Sequence, residues 1–358
     1  MTFEILVINP GGTTTKIGWF QDAEKIFAET IEHDSETLKQ YAKVRDQLSL
    51  RLKAIIETTS QHGVKLENLA AVVARAGLLP PLEAGAYEVN QAMINWSLEK
   101  SKLNHGSDLS GILAKTIAEK TGHGCKAYIY DGETLDQLTP LARYSGVASI
   151  PRTSLGHLLN MRAVGRRVAD RLGKSFDELN MAVCHMGGGT SLCAIKKSRV
   201  IDTIPDDEGP CSVERSGKVP LKHIISLCYA LPRSEVMRIL RQDGGLKSYL
   251  GTNDGREIVR RIEAGGPEGL KAREVFEAMA YQVAKSIGEM VVALKGQVDA
   301  IVLTGGLAKS RLMTSMIEDK VSFFAPVLVE PGEYELEALA GGALRVLRGE
   351  ESLHVFNY

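Results

Sequence analysis

The chain has 358 residues, of which 44% are hydrophobic and 24% are charged, a composition typical of a globular protein that buries a large core. It excludes a disordered chain, a collagen and a small disulfide scaffold. Lysine and arginine number 43 against 44 acidic residues, so the net charge of −1 provides no global field for nucleic acid or an anionic membrane. The one excess is glycine, at 35 of 358 residues, or about 10%, where about 7% is usual.

The amino terminus and the cysteines bear on the compartment. Met1-Thr2-Phe3-Glu4 lacks the basic region of a signal peptide, and no apolar run approaches the ~18 residues of a membrane span. The five cysteines are odd in number and include no C-x-x-C pair, so idle thiols are expected rather than disulfides or a zinc site. We therefore expect a cytoplasmic protein.

An apolar run, a glycine-rich turn and a second apolar run occur twice along the chain. The segments are 5–8, 9–16 and 17–20 in the first copy, and 181–184, 185–191 and 192–195 in the second. Each copy predicts a β-hairpin, because β-branched residues flank a turn. Two copies of one hairpin predict two related domains that face one another.

A third glycine segment has a different setting. Thr304-Gly305-Gly306-Leu307-Ala308 follows the apolar run 300–303 and precedes a helical pattern at 309–320. A strand, a tight turn and a helix amino terminus form a geometry in which backbone N–H groups meet an anion or a polar ring edge.

The remaining pattern predicts an α/β protein of two domains. Apolar residues recur at three- and four-residue steps in the segments 36–59, 110–120, 156–172, 234–241, 269–294 and 337–348. Strands are predicted at 71–73 and 127–130. A proline-flanked loop at Ile150-Pro151 suggests domains of residues 1–150 and 151–337, with a C-terminal helix within 338–358 that packs back on the first domain.

The glycine turns are candidate phosphate sites, since glycine allows backbone N–H groups to converge and to approach a ligand closely. The residues concerned are Asn9, Gly11, Gly12, Thr13, Thr14 and Lys16, then His185, Gly187, Gly188 and Gly189, then Thr304, Gly305 and Gly306. None of the turns is a Walker A loop. Taken alone, each is equally well explained as an ordinary turn. Together they favour a nucleotide held between two domains.

Five motifs carry a family resemblance. They are Asn9-Pro10-Gly11-Gly12-Thr13-Thr14-Thr15-Lys16, His185-Met186-Gly187-Gly188-Gly189, Glu214-Arg215-Ser216-Gly217, Thr304-Gly305-Gly306 and Pro331-Gly332-Glu333. The set resembles the acetate and butyrate kinase family, and segments 249–254, 280–282 and 335–340 are most similar to the butyrate kinase branch. The resemblance implies a duplicated actin-like ATPase fold of ribonuclease H-like domains with an interdomain cleft.

The activity that this resemblance implies is phosphorylation of a short-chain carboxylate, most simply butyrate, by ATP with Mg²⁺, or the reverse reaction from acyl phosphate and ADP. The first glycine loop would serve phosphate groups at the reacting end, the second would serve the ATP phosphates, and Thr304 to Ala308 would border the adenosine. The resemblance also implies a homodimer or a higher homo-oligomer. Nucleic acid and membranes are not expected as partners.

Two arginines suit the chemistry, because a carboxylate attacks the γ-phosphorus without losing a proton and the reaction needs neutralisation of charge. By resemblance, Arg75 would bind the substrate carboxylate, with Leu78, Leu79 and Pro80 near its alkyl tail, and Arg215 would hold the transferring phosphoryl group. Outside these motifs, either arginine would be a surface ion-pair partner.

Acidic residues and histidines complete the candidate set. Asp131 follows a predicted strand and is a candidate ligand for Mg²⁺, with an Asx turn as the alternative. By resemblance, Glu335 or Glu337 would be the second acidic residue, and the motif fits both. His157 and His185 are candidates for hydrogen bonds to phosphoryl oxygens, with a helix cap or a packed core residue as the alternative for His157.

The sequence departs from the family pattern at several positions. Gly12 stands where serine is usual, Ala76 stands where butyrate kinases generally have glycine, and residues 131–136 replace a segment that is normally Asp-Pro-Val-Val-Val-Asp. These changes leave other readings open. The chain could phosphorylate propionate, isobutyrate or acetate, or it could be a nucleotide-binding regulator that has lost turnover.

Overall fold

The computed structural model describes residues 2–101, 105–122 and 124–358. The chain divides into two compact units, and each is described by itself. The first unit comprises Met1–Asp136 and Tyr334–Tyr358, and the second comprises Gln137–Glu333. The division lies between Asp136 and Gln137, ahead of the Ile150-Pro151 loop that the sequence suggested.

The first unit contains one seven-stranded sheet in the order β12-β5-β6-β4-β1-β2-β3. Its strands are β1 Glu4–Pro10, β2 Thr14–Gln21, β3 Glu24–Glu32, β4 Leu69–Ala74, β5 Ala86–Glu88, β6 Lys126–Tyr130 and β12 Leu353–His354. Strand β1 is central, and residues 5–8 within it are fully buried, as expected for a strand covered on both faces. Strands β1 and β2 form the predicted first hairpin.

Five helices accompany this sheet. They are α1 Ser35–Lys39, α2 Leu48–Gln61, α3 Gln91–Glu99, α4 Ser110–Lys120 and, after the second unit, α12 Glu335–Leu347. The predicted helix at 36–59 is wrong as a continuous element, because a separate 3₁₀ turn, Val44–Gln47, lies between α1 and α2. The carboxylate of Asp46 accepts a hydrogen bond from the N–H of Lys43 and so caps the start of this 3₁₀ turn.

The second unit repeats five strands of the first. Its sheet has the order β11-β10-β7-β8-β9, with β7 Asn180–Met186, β8 Thr190–Lys196, β9 Arg199–Ile204, β10 Ala300–Gly305 and β11 Val327–Pro331. A hairpin, a third antiparallel strand and two parallel strands occur in the same order as β6-β4-β1-β2-β3. This correspondence confirms the duplication that the two glycine hairpins predicted.

The helices of the second unit are α5 Leu158–Leu172, α6 Leu221–Ala230, α7 Arg233–Arg241, α8 Gly245–Leu250, α9 Gly255–Ala264, α10 Gly266–Ala293 and α11 Arg311–Val321. Helix α10 buries Phe276, Met279, Val283 and Ile287 along one face, at the spacing of an amphipathic helix. Helix α5 begins after Gly156, whose φ of +144° is outside helical conformation.

The structure also bears on the predictions about the cysteines and about membrane-spanning helices. The five cysteines are free, and Cys184 and Cys193 lie fully buried within the second sheet. Burial raises the pKa of the Cys193 thiol to about 12, so it is inert at neutral pH. Within the described ranges, no helix is both long enough and apolar enough to cross a bilayer.

Candidate active site

The first glycine loop joins β1 to β2 in the first unit. The N–H of Gly11 donates to the carbonyl of Thr14 over 2.7 Å, which closes a tight turn. Gly12 and Thr13 at its tip are exposed, whereas Lys16 is partly buried. A side chain at Gly12 would meet only the ring of His105, with Nε2 3.6 Å from an added Cβ, so the loop has room for the serine that is usual in the family.

One carboxylate connects this loop to the predicted substrate arginine. Glu335 opens α12, and its Oε2 accepts a hydrogen bond from the Asn9 side chain over 2.9 Å. Its Oε1 accepts from Nη1 of Arg75 over 2.6 Å. Asn9 lies near the end of β1, and Arg75 follows β4, the parallel neighbour of β1, so both residues lie at the same edge of the sheet. The structure therefore brings Asn9, Arg75 and Glu335 together.

A second carboxylate reaches Arg75, from a residue that the sequence interpretation did not assign. Oε1 of Glu133 lies 3.5 Å from Nη2 of Arg75. Arg75 and Glu133 are 19% and 29% exposed at their side chains, so water screens the pair only in part. Arg75 thus carries two acidic neighbours, which leave this group with a net negative charge.

The structure distinguishes the two acidic candidates on α12. Glu337 forms an ion pair with Lys25 over 2.6 Å and is 38% exposed at its side chain. Glu335 instead contacts Arg75 and Asn9. Of the two, only Glu335 therefore belongs to the Arg75 group.

Asp131 lies at the end of β6 with a φ of +40°, an uncommon conformation for a residue with a side chain. It is 3% exposed, and its Oδ1 accepts a hydrogen bond from the backbone N–H of Gly85 over 2.8 Å. The carboxylate therefore ties β6 to the segment before β5. This contact spans two segments of the first unit.

The three residues predicted to lie near the alkyl tail of the substrate differ in burial. Leu79 and Pro80 are buried, and Leu79 belongs to the core of the first unit. Leu78 is partly exposed. Only Leu78 is therefore accessible beside Arg75, because the chain must turn inward to fill the core after β4.

In the second unit, Arg215 lies against the second glycine loop. A Cβ added at Gly189 would lie 2.7 Å from Nη1 of Arg215, so only glycine leaves room for the guanidinium there. Arg215 forms an ion pair with Asp206, and Nη2 of Arg241 lies 3.4 Å from the same carboxylate. Burial and the positive charge of Arg241 lower the pKa of Arg215 from its ordinary value. Two arginines share one carboxylate, so the trio has a net charge of +1.

The two predicted histidines stack on each other beneath this loop. The rings of His157 and His185 have centroids 3.9 Å apart at an interplanar angle of 7°. Nδ1 of His157 lies 2.9 Å from Oγ of Ser191. Asn160 connects Nδ1 of His185, at 3.0 Å, to the hydroxyl of Thr304, at 3.3 Å.

The exposed fractions of these polar side chains differ. His185 and Thr304 are 1% and 0% exposed, whereas His157 is partly exposed. Of the residues predicted to contact phosphate, His157 is therefore accessible, whereas His185 and Thr304 are buried.

The third glycine segment differs from its prediction. Thr304 and Gly305 belong to β10, Gly306 begins a 3₁₀ turn, and α11 starts at Arg311 after the cap residue Ser310. Gly305 has a φ of +90°, and a Cβ there would lie 2.4 Å from the carbonyl oxygen of Met186. α11 therefore starts two residues later than the predicted helix, after the 3₁₀ turn.

A cavity of about 760 Å³ lies in the second unit between the glycine segments. Gly187 and Gly188 border it on one side and Gly306 on another, and Asn253 and Val259 also contribute. The segment around α9 was not assigned from the sequence. Asp254 could have indicated the start of this helix, because Asp is a preferred N-cap residue. In the structure its side chain caps α9 by accepting from the N–H of Arg256 over 2.9 Å.

The number of carboxylates that lie near one another decides how the protein could bind Mg²⁺. Within the described ranges, no three His, Cys, Asp or Glu side chains gather as a metal site. Magnesium commonly uses one or two carboxylates and completes its shell with water and substrate phosphates. Glu335 and Asp131 therefore fit an ion that arrives with a nucleotide, and they do not fit an ion held by the protein alone.

Comparison with known proteins agrees with this geometry. Residues 156–324 match the Acetokinase family. This stretch, just under half of the chain, contains the second glycine loop, Arg215 and most of the cavity lining.

Solved structures show the fold. The acetate kinase of Porphyromonas gingivalis superimposes with a TM-score of 0.79 at 16% identity, over 96% of this chain and 100% of that one. The propionate kinase of Francisella tularensis gives 0.74 at 15% identity, over 95% and 98%. A ROK family protein of Streptococcus pneumoniae gives 0.53 at 11% identity, over 98% and 100%. The chain therefore has the duplicated α/β fold of these structures.

Proposed function

We propose that this protein is a carboxylate kinase, which reversibly transfers the γ-phosphoryl group of ATP to a short-chain carboxylic acid. The observation that carries this proposal is the position of Arg215 against Gly189, in a hairpin that also borders the 760 Å³ cavity. A cation, a glycine-rich loop and room for a nucleoside lie within one unit. The Acetokinase match covers Gly189 and Arg215.

In this proposal the chemistry requires no general base, because the attacking group is an ionised carboxylate. The protein must instead bring two anions together and neutralise the charge that develops on the phosphoryl oxygens. Arg215 would meet these oxygens with its planar fork, and Arg241 keeps the charge balance of the trio positive. His157 would add a hydrogen bond from beside the loop.

The first unit would bind the acid. Arg75 would hold the carboxylate, with Leu78 beside the alkyl chain, and the loop from Asn9 to Lys16 would bind the phosphoryl group as it arrives. Glu335 would orient Arg75 and Asn9, since its carboxylate bonds both. When bound, Mg²⁺ would neutralise charge between the phosphates, and Glu335 and Asp131 are the residues that would hold it.

We propose butyrate as the preferred acid within a loose series. Each additional methylene is worth only about 0.8 kcal/mol, or roughly fourfold in kcat/KM, so neighbouring acids should also react. A hydroxamate assay with ATP, Mg²⁺ and unbranched acids of two to six carbons tests this point. A maximum at four carbons with shallow flanks supports butyrate, and a maximum at two or three carbons favours acetate or propionate. Isobutyrate in the same assay tests a branched substrate.

A nucleotide-binding regulator is the second candidate. It is favoured by one observation, namely that Glu133 and Glu335 already more than neutralise the charge of Arg75. Saturable ATP binding without any acyl hydroxamate from the whole series would support it over the kinase. The five free thiols fit a reducing compartment, and we propose the cytoplasm for either activity.

A further inference from the structure

Arg51 of α2 is a fully buried cation beneath the first glycine loop. Its guanidinium donates five hydrogen bonds, and every acceptor is a neutral oxygen. The acceptors are Oε1 of Gln47 at 3.1 and 3.0 Å, the carbonyl of Thr14 and Oγ1 of Thr15 at 3.3 Å, and the carbonyl of Gly12 at 2.5 Å. No Asp or Glu of the described residues forms an ion pair with Arg51.

A buried charge without a counterion is costly, even when every N–H is bonded. Burial lowers the pKa of Arg51 from its ordinary value, but arginine stays protonated in proteins. The first unit contains many acidic residues, and none of them neutralises Arg51. A negative partner is therefore missing from the chain itself.

The loop above Arg51 turns its carbonyl groups inward. The carbonyls of Gly12 and Thr14 accept from the guanidinium, and that of Gly11 lies against Gly106, where an added Cβ would be 1.9 Å from the oxygen. In a trans peptide the N–H points opposite to the carbonyl of the preceding residue. The N–H groups of Gly12 and Thr13 are thus directed outward, at the exposed tip of the loop.

We infer that Arg51 is the positioning residue of an anion site formed by the outer face of this loop, and that a bound phosphoryl group is its missing counterion. Arg51 fixes the carbonyls inward, so the N–H groups converge on the outside, and its charge adds to their attraction for the anion. This inference rests on the proposed function only for the source of the phosphoryl group. The binding of phosphate is independent of turnover.

Gln47 offers a test that keeps the protein folded. Gln47→Glu is nearly isosteric, retains both acceptor contacts and supplies the absent carboxylate. Gln47→Met removes the same two hydrogen bonds without adding charge. The probe is inorganic phosphate, titrated into the full-length protein while the amide ¹⁵N signals of Gly11, Gly12 and Thr13 are followed by NMR. Thermal unfolding of each variant is measured in parallel.

We expect saturable shifts in the unsubstituted protein. Gln47→Glu should weaken phosphate binding roughly tenfold or more while the Tm stays equal or rises, because the new carboxylate neutralises Arg51. Gln47→Met should change the dissociation constant less than threefold. Equal affinities for Gln47→Glu and the unsubstituted protein, equal losses in both variants, or no saturating shift at these amides would overturn the inference. Phosphate binding without any acyl phosphate synthesis would sink only the kinase proposal.

Discussion

Arg75 is the residue whose surroundings bear most directly on substrate binding. It faces Glu335 at 2.6 Å and Glu133 at 3.5 Å, and under the proposed function an incoming acid would share the guanidinium with both. Glu335 is fixed at the start of α12 and also bonds Asn9, so it is part of the framework. Glu133 contacts Arg75 through one ion pair and is more exposed than Glu335. It is therefore the neighbour that a substrate would displace.

We therefore predict that Glu133→Gln lowers the KM for the carboxylic acid by roughly two- to fivefold, the magnitude of a partly exposed ion pair. The kcat should change little, because Glu133 contacts Arg75 and not the glycine loops. Initial-rate kinetics with varied acid at saturating ATP measure both constants. Glu88→Gln is the matched control, since Glu88 pairs with Lys126 elsewhere in the same sheet. An unchanged or higher KM in Glu133→Gln would contradict competition at Arg75.

The glycine loops and the two arginines could be proposed from the sequence because glycine runs, strand ends and family motifs are local features. It could not decide between Glu335 and Glu337, since the choice depends on which face of α12 meets Arg75, 260 positions earlier in the chain. Arg51 was missed for a related reason. It lies on the buried row of α2 with Ile55 and Thr59, but only tertiary packing shows that this arginine lies under a loop.

At the scale of elements, the two hairpins and their parallel neighbours position both glycine loops, Arg75 and Asp131. The strand β10 packs beside β7, and Gly305 meets the backbone of Met186 where the second loop begins. The sequence predicted both strands, since each is a short apolar run that ends at a glycine turn. It placed the following helix too early, because a close approach between two backbones has no signature in the periodicity of one segment.

This contact predicts different costs for two adjacent glycines. Gly305→Ala should lower the free energy of unfolding by at least about 2 kcal/mol, because the φ of +90° is strained for alanine and its Cβ would meet Met186. Gly306→Ala should lie within about 0.5 kcal/mol of the unsubstituted protein, since no heavy atom lies within 4 Å of its added Cβ. Urea unfolding measures both. Similar costs for the two variants would show that β10 and β7 do not meet as described.

At the scale of the whole molecule, α6 is the element that suggests an assembly. None of its residues is buried, and Leu221, Ile225 and Tyr229, spaced four apart on one face, are 78%, 57% and 90% exposed. An apolar stripe of this kind is unusual on the surface of a monomer. We propose that it contributes to a homodimer through the second unit.

Ile225→Asp should accordingly convert a dimer into a monomer, because it buries a charge in the apolar contact. Sedimentation velocity of the full-length protein gives the mass. Ser226→Asp adds the same charge to the neighbouring position of α6, off the stripe, and should remain dimeric. A monomer in the unsubstituted protein would remove α6 from this role.

The proposed reaction transfers the γ-phosphoryl group of ATP to a carboxylate. The most direct measurement is a ³¹P NMR time course of the protein with ATP, Mg²⁺ and butyrate, alongside Arg215→Ala at matched ATP occupancy. We predict that an acyl phosphate resonance grows in equal amount with ADP, and that Arg215→Ala slows this growth by several orders of magnitude while ATP still binds. An unchanged ATP spectrum, or ADP and inorganic phosphate without acyl phosphate, from butyrate and from every other acid of two to six carbons would contradict the account.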